Sequence, residues 1–418
     1  MGVRSTRYDE RVNLVSLHQQ GLSYHAISIK VGLNYYTVRK WIRAYKKLGW
    51  AGLDPQRRGP ERRGPLSQFS PLVKYVVLRL KRQNPGWGLD LLLLAMRRQP
   101  SLTGHQLPSR TALYSYLRPY LPRLQHKRSS RTQRPSPRYT PTDGVHQRWQ
   151  MDFKGEVVIE PAGTVLPFHV CDEHSSAPLA GLIYAAAAGQ PRKGLTTRDI
   201  QHALRQVFTR WGRPQQLRMD RDALWVGSSR LEWPGLLLLW LVGLDIWPVI
   251  NRPGRPTDNA QVERLNRTWL EHVAFSLTSA STATIQAATD QAWHDRLFHL
   301  PSRNKHCHGQ APAQTFPNLF NNDRIYDTDL EASLFDMDRV YAYLAQWQWQ
   351  RKVDVTGCIS LNNRNRLVGK AFAGQLVKVH FDLATKQFVA TSLDQIELRR
   401  FTLPTIQAPH IRGTGSLL

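Results

Sequence analysis

The sequence predicts a multidomain protein. An all-α front of helix-turn-helix units leads into a central α/β domain with a mixed sheet, and a small antiparallel β-barrel ends the chain. Three observations carry this. Helical patterns broken at glycines fill the front third. Three meandering strand patterns, then alternating helices and strands, occupy the middle. Five short strand signals with Gly- and Asn-rich turns follow the helical pattern DMDRVYAYLAQ.

Length and composition set the limits. The chain has 418 residues with 41% apolar content, enough for several cores. Three widely spaced cysteines, Cys171, Cys307 and Cys358, argue against a disulfide framework and a cysteine-based zinc site. The amino terminus lacks the apolar segment of a signal peptide. The run LLLLWLVGL from Leu236 is too short to span a bilayer. These features predict a cytoplasmic protein with no membrane partner.

Charge is concentrated at the front. Residues 1–147 hold 27 Lys+Arg against 6 Asp+Glu, whereas the other residues hold 30 against 25. Such a front attracts a polyanion, with double-stranded DNA the leading candidate.

Residues 8–49 carry three helical patterns separated at Gly21 and Gly32, with Leu14, Leu17, Ile27, Val31, Val38 and Ile42 spaced to share a small core. Asn34 can cap the third helix. That helix presents Arg39, Lys40 and Arg43, as the recognition helix of a helix-turn-helix does. A second such unit is expected: Ser70-Pro71 starts a helix to about Arg82, another follows Gly88, and Ser109 starts a third carrying Arg110. Between the units DPQRRGPERRGP, with Arg57 and Arg58, can follow a phosphate backbone. From Arg123 to Thr142 the chain has no hydrophobic period. It reads as a tether whose Lys127, Arg128 and Arg131 contact DNA.

In the middle, WQMDFKGEVVI opens a strand holding Asp152, VLPFHVCDEHS gives a strand ending at Asp172, and APLAGLIYAA gives a third. A helix over TTRDIQHALRQVFTRWG, a strand ending at Asp220, a buried helix, the strand DIWPVI and a helix capped by Asp258 follow. Asp152, Asp220 and Glu263 each sit at a strand end or helix start, which such a sheet gathers at one edge. Converging carboxylates repel unless cations bind between them, and two Mg2+ ions, with Mn2+ as a substitute, would neutralise them. Asn259, Glu263 and Arg267 are four apart and share a helix face, where Asn259 and Arg267 can meet DNA. Asp222 is a rival for the second acid. His169 and His174 flank the second strand, and His174 is placed to approach the acids. His306, Cys307 and His308 are too close together for a well-formed zinc site, so packing or phosphate contact is expected there.

WQMDFKG, HVCDEHSSAPLAGLIY, LRMDRDALW and NRPGRPTDNAQVERLNRTW resemble the catalytic core of bacterial insertion-sequence transposases of the retroviral-integrase superfamily. The resemblance covers about residues 140–320. It implies a ribonuclease-H-like core whose Asp, Asp, Glu triad falls on Asp152, Asp220 and Glu263 and binds two divalent metals. It also implies an SH3-like form for the terminal barrel. The sequence departs from the family pattern after the second acid, where Asp220-Arg221-Asp222-Ala223 stands, and the spacing from Asp220 to Glu263 is longer than the family's usual one.

The expected organisation is a helix-turn-helix domain at 1–52, a basic linker at 53–68 and a second helix-turn-helix-like domain at 69–122. A tether at 123–144, a catalytic core at 145–320, a connector helix at 321–350, the barrel at 351–402 and a flexible tail at 403–418 follow. The function expected is that of a DNA transposase, nucleoid-associated in a bacterium, that cleaves element ends and joins them to target DNA as a dimer or tetramer. An accessory ATPase or targeting complex is a further expected partner. The competing reading is an element-derived regulator whose core has become structural.

Overall fold

In the computed structural model the chain falls into two compact units, Met1–Gln68 and Phe69–Leu418. The structure describes residues 6–54, 64–120, 140–186, 195–222, 225, 233–252, 256–274, 277, 280–362 and 364–414. Arg57, Arg58, Lys127, Arg128 and Arg131 lie outside them.

The first unit is built of α1 (Tyr8–Gln19), α2 (Tyr24–Val31) and α3 (Tyr35–Leu48). Their boundaries have local causes. Ser23 Oγ accepts from the Ala26 amide at 3.2 Å and Asn34 Oδ1 from the Tyr36 amide at 2.8 Å. Gly32, at φ 66°, closes α2 in the left-handed conformation that favours glycine. Leu14, Leu17, Ile27, Val38 and Ile42 form the core, with Val31 packed at its edge. Arg11 is spent internally: it donates to the carbonyls of Leu53 and Thr6 at 2.8 and 2.7 Å and lies over Trp41.

The second unit begins with α4 (Pro71–Gln83), α5 (Leu89–Arg97) and α6 (Arg110–Leu117), started by Ser70, Gly88 and Ser109. Val73, Val76, Leu80, Leu92, Met96 and Leu113 are buried among them.

The central sheet contains β1 (Arg148–Phe153), β2 (Val157–Ile159), β3 (Gly163–Asp172), β4 (Pro178–Ala185), β5 (Gln216–Met219) and β6 (Trp247–Ile250). Its order is β2-β3-β1-β5-β6, with β4 also paired to β3. β1 runs antiparallel to β3 and parallel to β5, which is parallel to β6. One face carries α7 (Thr197–Trp211) and α8 (Leu236–Gly243), packed on Trp149, Met151, Phe153, Phe168 and Val170. The other carries α9 (Ala260–His272) and α10 (Thr282–Phe298), packed on Val165 and Cys171. Strand alternation sends Asp152, between Met151 and Phe153, to the α9 side.

The expected barrel is not there. After α11 (Met337–Ala345) come β7 (Gln348–Lys352), β8 (Cys358–Leu361), β9 (Arg364–Leu367), β10 (Leu376–Asp382), β11 (Gln387–Thr391) and β12 (Glu397–Phe401). Among the described residues they form an open sheet, β12-β11-β10-β7, and a separate β8-β9 hairpin, and neither closes. Closure would have to bury the apolar face of the sheet against itself. Here that face packs on the core instead: Trp233 lies 4.7 Å from Trp349 and 5.5 Å from Phe388, and Tyr341 of α11 stacks on Phe381 at 5.2 Å.

Two segments expected to be patternless are held in place. At the end of the tether Thr142 is buried, and its carbonyl lies 2.9 Å from His174 Nδ1. In the tail Leu403, Ile406 and Ile411 are buried. The short helix α12 (Ala408–Ile411) is anchored by Gln201, which donates to the Ile411 carbonyl at 2.8 Å.

Candidate active site

The site is built where α9 crosses β1. A helix start leaves amides without internal partners, and the side chain of Asn259 makes no cap here. Gln150 of β1 does this work across the sheet, its Oε1 accepting from the Gln261 and Val262 amides at 3.1 and 3.2 Å. Gln150 is itself oriented by donating to Glu173 at 2.9 Å. Glu173 is clamped by Arg148 and Arg218, each at 3.1 Å.

Two further contacts fix the helix face. Asn259 is buried and donates to the Met151 carbonyl at 3.2 Å. Asn266 is buried and donates through Nδ2 to Asp152 Oδ2 at 2.8 Å. Glu263 lies on the same stripe, four residues after Asn259 and three before Asn266. Its side chain is exposed, yet desolvation by the surrounding protein holds its carboxyl above the ordinary value against the opposing pull of Arg267.

Asp220 reaches the same level from the neighbouring strand. The β1–β5 register ends at Gln150 opposite Arg218; Asp152 follows by two residues within β1, and Asp220 by two residues, just past the end of β5. Trp225 braces the pair: its Nε1 donates to Asp220 Oδ1 at 2.6 Å, and its ring stacks on Phe153 at 5.2 Å and 11°. The Asp222 amide also donates to Asp220 Oδ1, at 3.1 Å. The Trp225 indole and the Asp222 amide are neutral donors to Asp220, and the carboxylates are hard oxygen donors of the kind Mg2+ prefers.

The three acids are not contracted into one tight cluster. Among the described residues, the group whose ligand atoms all lie within 4.8 Å is His294, Asp295 and His299 on and after α10. It fits a metal poorly. Both Asp295 oxygens already accept from the Arg98 guanidinium, at 2.7 and 2.5 Å, and Gln291 adds a third bond at 2.8 Å.

The remaining expected residues are distributed as follows. On α3, Lys40 and Arg43 are exposed and Arg39 is half-buried. Arg110 is ion-paired with Asp90 at 3.0 Å. Arg267 is exposed on α9, whereas Asn259 is turned into the sheet and is a structural anchor. His174 is not beside the acids. β3 runs from His169, opposite Asp152, to Asp172, opposite Trp149, so the turn that carries His174 lies toward the other end of β1. It stacks on His306 at 4.4 Å. Cys307 donates to the Ser175 carbonyl at 3.3 Å, so the His306–His308 segment packs against the core. Asp258, expected as a cap, pairs with Arg252 at 2.6 Å instead.

Asn266, Gln150 and Trp225 were missed by sequence reasoning. Asn266 was within reach, because it follows Glu263 by one turn on the same face. Trp225 was also within reach, five positions after Asp220 in LRMDRDALW, whereas Gln150 acts on residues more than a hundred positions away and leaves no local signal.

A second basic feature lies toward the His174 turn, beside Cys171 and Cys307. Arg264 on α9 and Arg303 after α10 are exposed, and α10 carries Arg296. Burial, then repulsion by Arg264 and Arg303, pushes the Arg296 guanidinium down. An anion seated there would relieve that repulsion.

A family model described as a helix-turn-helix domain matches residues 10–61. The chain also has a remote structural resemblance to retroviral integrase and intasome folds. A chain of the simian T-cell lymphotropic virus intasome, in a complex with PP2A regulatory subunit B56 gamma, is similar at 15% identity and a TM-score of 0.34. The match covers 57% of this chain and 77% of that one. The HTLV-2 integrase catalytic core domain in complex with magnesium is similar at 13% identity and a TM-score of 0.30, over 41% of this chain and 95% of that one.

Proposed function

We propose that this chain is a DNA transposase that binds the ends of a mobile element, cleaves there and joins the 3′-ends to target DNA. The observation that carries this reading is the placement of Asp152 near the end of β1 and of Asp220 just past the end of its parallel neighbour β5, with the Glu263 turn of α9 pinned over β1 by Asn259 and Asn266.

In this reading Asp152, Asp220 and Glu263 hold a pair of divalent cations. When bound, these supply the Lewis acidity that readies an attacking oxygen and steadies a leaving one. The protein's own part is positional. Asn266 holds Asp152 in one orientation, and Trp225 does so for Asp220. Arg264 and Arg267, on the helix of Glu263, and the Arg296–Arg303 group toward the His174 turn offer cationic contacts to DNA phosphates, and α3 reads the element end. Joining two ends at one target needs two such centres, which favours a symmetric dimer or tetramer on DNA.

The test uses duplexes from the DNA that flanks the gene, with Mg2+ and the full chain. Nicked and joined products are expected from the wild type and none from Asp152→Asn or Glu263→Gln, with DNA binding retained. Joining by either variant at the wild-type rate would refute the assignment. Binding without any cleavage by the wild type, with Mg2+ or Mn2+, would favour the regulator reading.

A further inference from the structure

His169 stands on β3 directly opposite Asp152 of β1, and its side chain is fully buried. Its Nδ1 lies 2.6 Å from Asn266 Oδ1, and Asn266 Nδ2 lies 2.8 Å from Asp152 Oδ2. The three side chains form a line from the middle of the sheet to the acid.

Each partner's chemistry fixes the next. An ionised carboxylate only accepts hydrogen bonds, so the Asn266 amide must present its NH2 to Asp152. Its oxygen then faces His169, and Nδ1 must carry the proton. The other ring nitrogen agrees. Among the described residues Nε2 is buried without a hydrogen-bond partner, and so is the indole N–H of Trp293. The two rings meet edge to face at 5.3 Å. A bare Nε2 lone pair suits a pocket that already holds an unmatched donor, whereas a proton on Nε2 would leave two donors unmatched.

Resting on the transposase reading above, we infer that His169 is a positioning residue: as the Nδ1–H tautomer it locks the Asn266 amide so that its NH2 holds Asp152 in the metal-binding orientation. Without that lock the amide can turn over and bring its oxygen against the carboxylate. The pocket walls keep the imidazole in place, since Trp269 and Trp293 both pack on its ring.

The experiment has two arms. The first is 15N NMR of the metal-free full chain labelled at histidine, with the His169 signals assigned by their loss in His169→Gln. A neutral ring protonated at Nδ1 is expected at neutral pH. A ring protonated at Nε2, or at both nitrogens, overturns the inference. This arm stands even if no joining activity is found, so its failure and the failure of the transposase reading are told apart.

The second arm compares His169→Leu, which fills the pocket without a donor, with His169→Gln, whose amide can donate to Asn266. The Mg2+ concentration for half-maximal joining should rise about 10- to 100-fold in the Leu variant. The Gln variant should recover most of that loss, and KM for DNA should stay constant in both. Equal losses in the two variants at matched thermal stability would mean a packing role only and overturn the inference. Should His169→Leu fail to fold, His169→Gln and Asn266→Ala are compared in its place. A near wild-type Mg2+ requirement in the first and a raised one in the second is expected, and equal requirements overturn the inference.

Discussion

Arg98 grips Asp295 with both terminal nitrogens, at 2.7 and 2.5 Å, and so joins the basic helices α4–α6 to α10 of the central domain. Asp295 is buried while Arg98 stays partly open, so the carboxylate has given up water for this contact. Nearby, Trp87 Nε1 donates to the His272 carbonyl at 3.2 Å, at the end of the helix that carries Glu263. The basic helical module therefore rests on the far end of the helix that carries Glu263.

Gly86 is the tightest point of that seam. A Cβ there would lie 2.1 Å from the Glu271 carbonyl oxygen, which is backbone and cannot swing away. Gly86→Ala should part the seam. Hydrogen exchange should rise at 84–99 and at 270–274 while the sheet strands keep their protection. Arg98→Ala, which strands a buried carboxylate, should cost about 2 kcal/mol in denaturant unfolding. Unchanged exchange in Gly86→Ala would contradict the seam.

The indole of Trp225 reports on Asp220, since its Nε1 donates to that carboxylate at 2.6 Å. Asp220→Asn keeps an oxygen for the indole and should leave the Trp225 environment close to the wild type. It should nevertheless abolish joining while sparing DNA binding. Asp220→Ala should release the ring as well, raising quenching of tryptophan fluorescence relative to a Trp225→Phe background. Full joining by Asp220→Asn would remove Asp220 from the site. Loss of joining in Asp222→Asn alone, with Asp220→Asn active, would transfer the role to Asp222.

What the sequence revealed followed from local signals. The helices of the front third could be placed because Asn34, Ser70 and Ser109 cap locally and Gly32 closes locally. Asp152, Asp220 and Glu263 could be placed at element ends because the strand and helix periods change beside them. Long-range pairings left no such mark. Gln150 capping α9, Asn266 meeting Asp152 and Arg98 meeting Asp295 join residues more than a hundred positions apart. The barrel expectation failed for a related reason. Strand periodicity in VKVHFD and QFVAT showed that one face is buried, but it could not show that α11 and Trp233 would bury it.

On α3, Lys40 and Arg43 are exposed and Asn34 fixes the helix start, so those side chains are presented in a set direction. Replacing Arg43 should weaken binding to the preferred end sequence by about 1 to 3 kcal/mol if it reads a base. Binding to random duplex should fall much less. Replacing Lys40, which lies 4.8 Å from the Trp41 ring, should weaken both DNAs alike and lower the salt slope by about one phosphate. Competition binding at several salt concentrations separates the two. Equal losses on both DNAs for Arg43 would rule out base reading by that residue.

Glu331 ties the tail of the chain to the core, and its charge sets a pH limit. It accepts from Arg205 at 2.6 and 2.9 Å, from Arg412 at 3.1 Å and from Trp240 at 3.3 Å. Burial opposes its ionisation, but the Arg205, Tyr326 and Arg412 bonds outweigh this and hold the carboxyl down to about 2, against an ordinary 4.5. A carboxyl depressed in the folded state stabilises the fold fully above its unfolded value, and that contribution fades as pH falls through the folded value. Glu331→Gln leaves two arginines facing a neutral amide, and should cost on the order of 3 kcal/mol near neutral pH. The gap between wild type and variant should narrow steadily between pH 4.5 and about 2. Asp338→Asn is the control, because the Lys386–Asp338 pair is open to water at 56% and 75% side-chain exposure. It should cost less than about 1 kcal/mol. Urea unfolding across that pH range measures all three, and a gap for Glu331→Gln that stays constant down to pH 2 would show that its charge does not hold the tail.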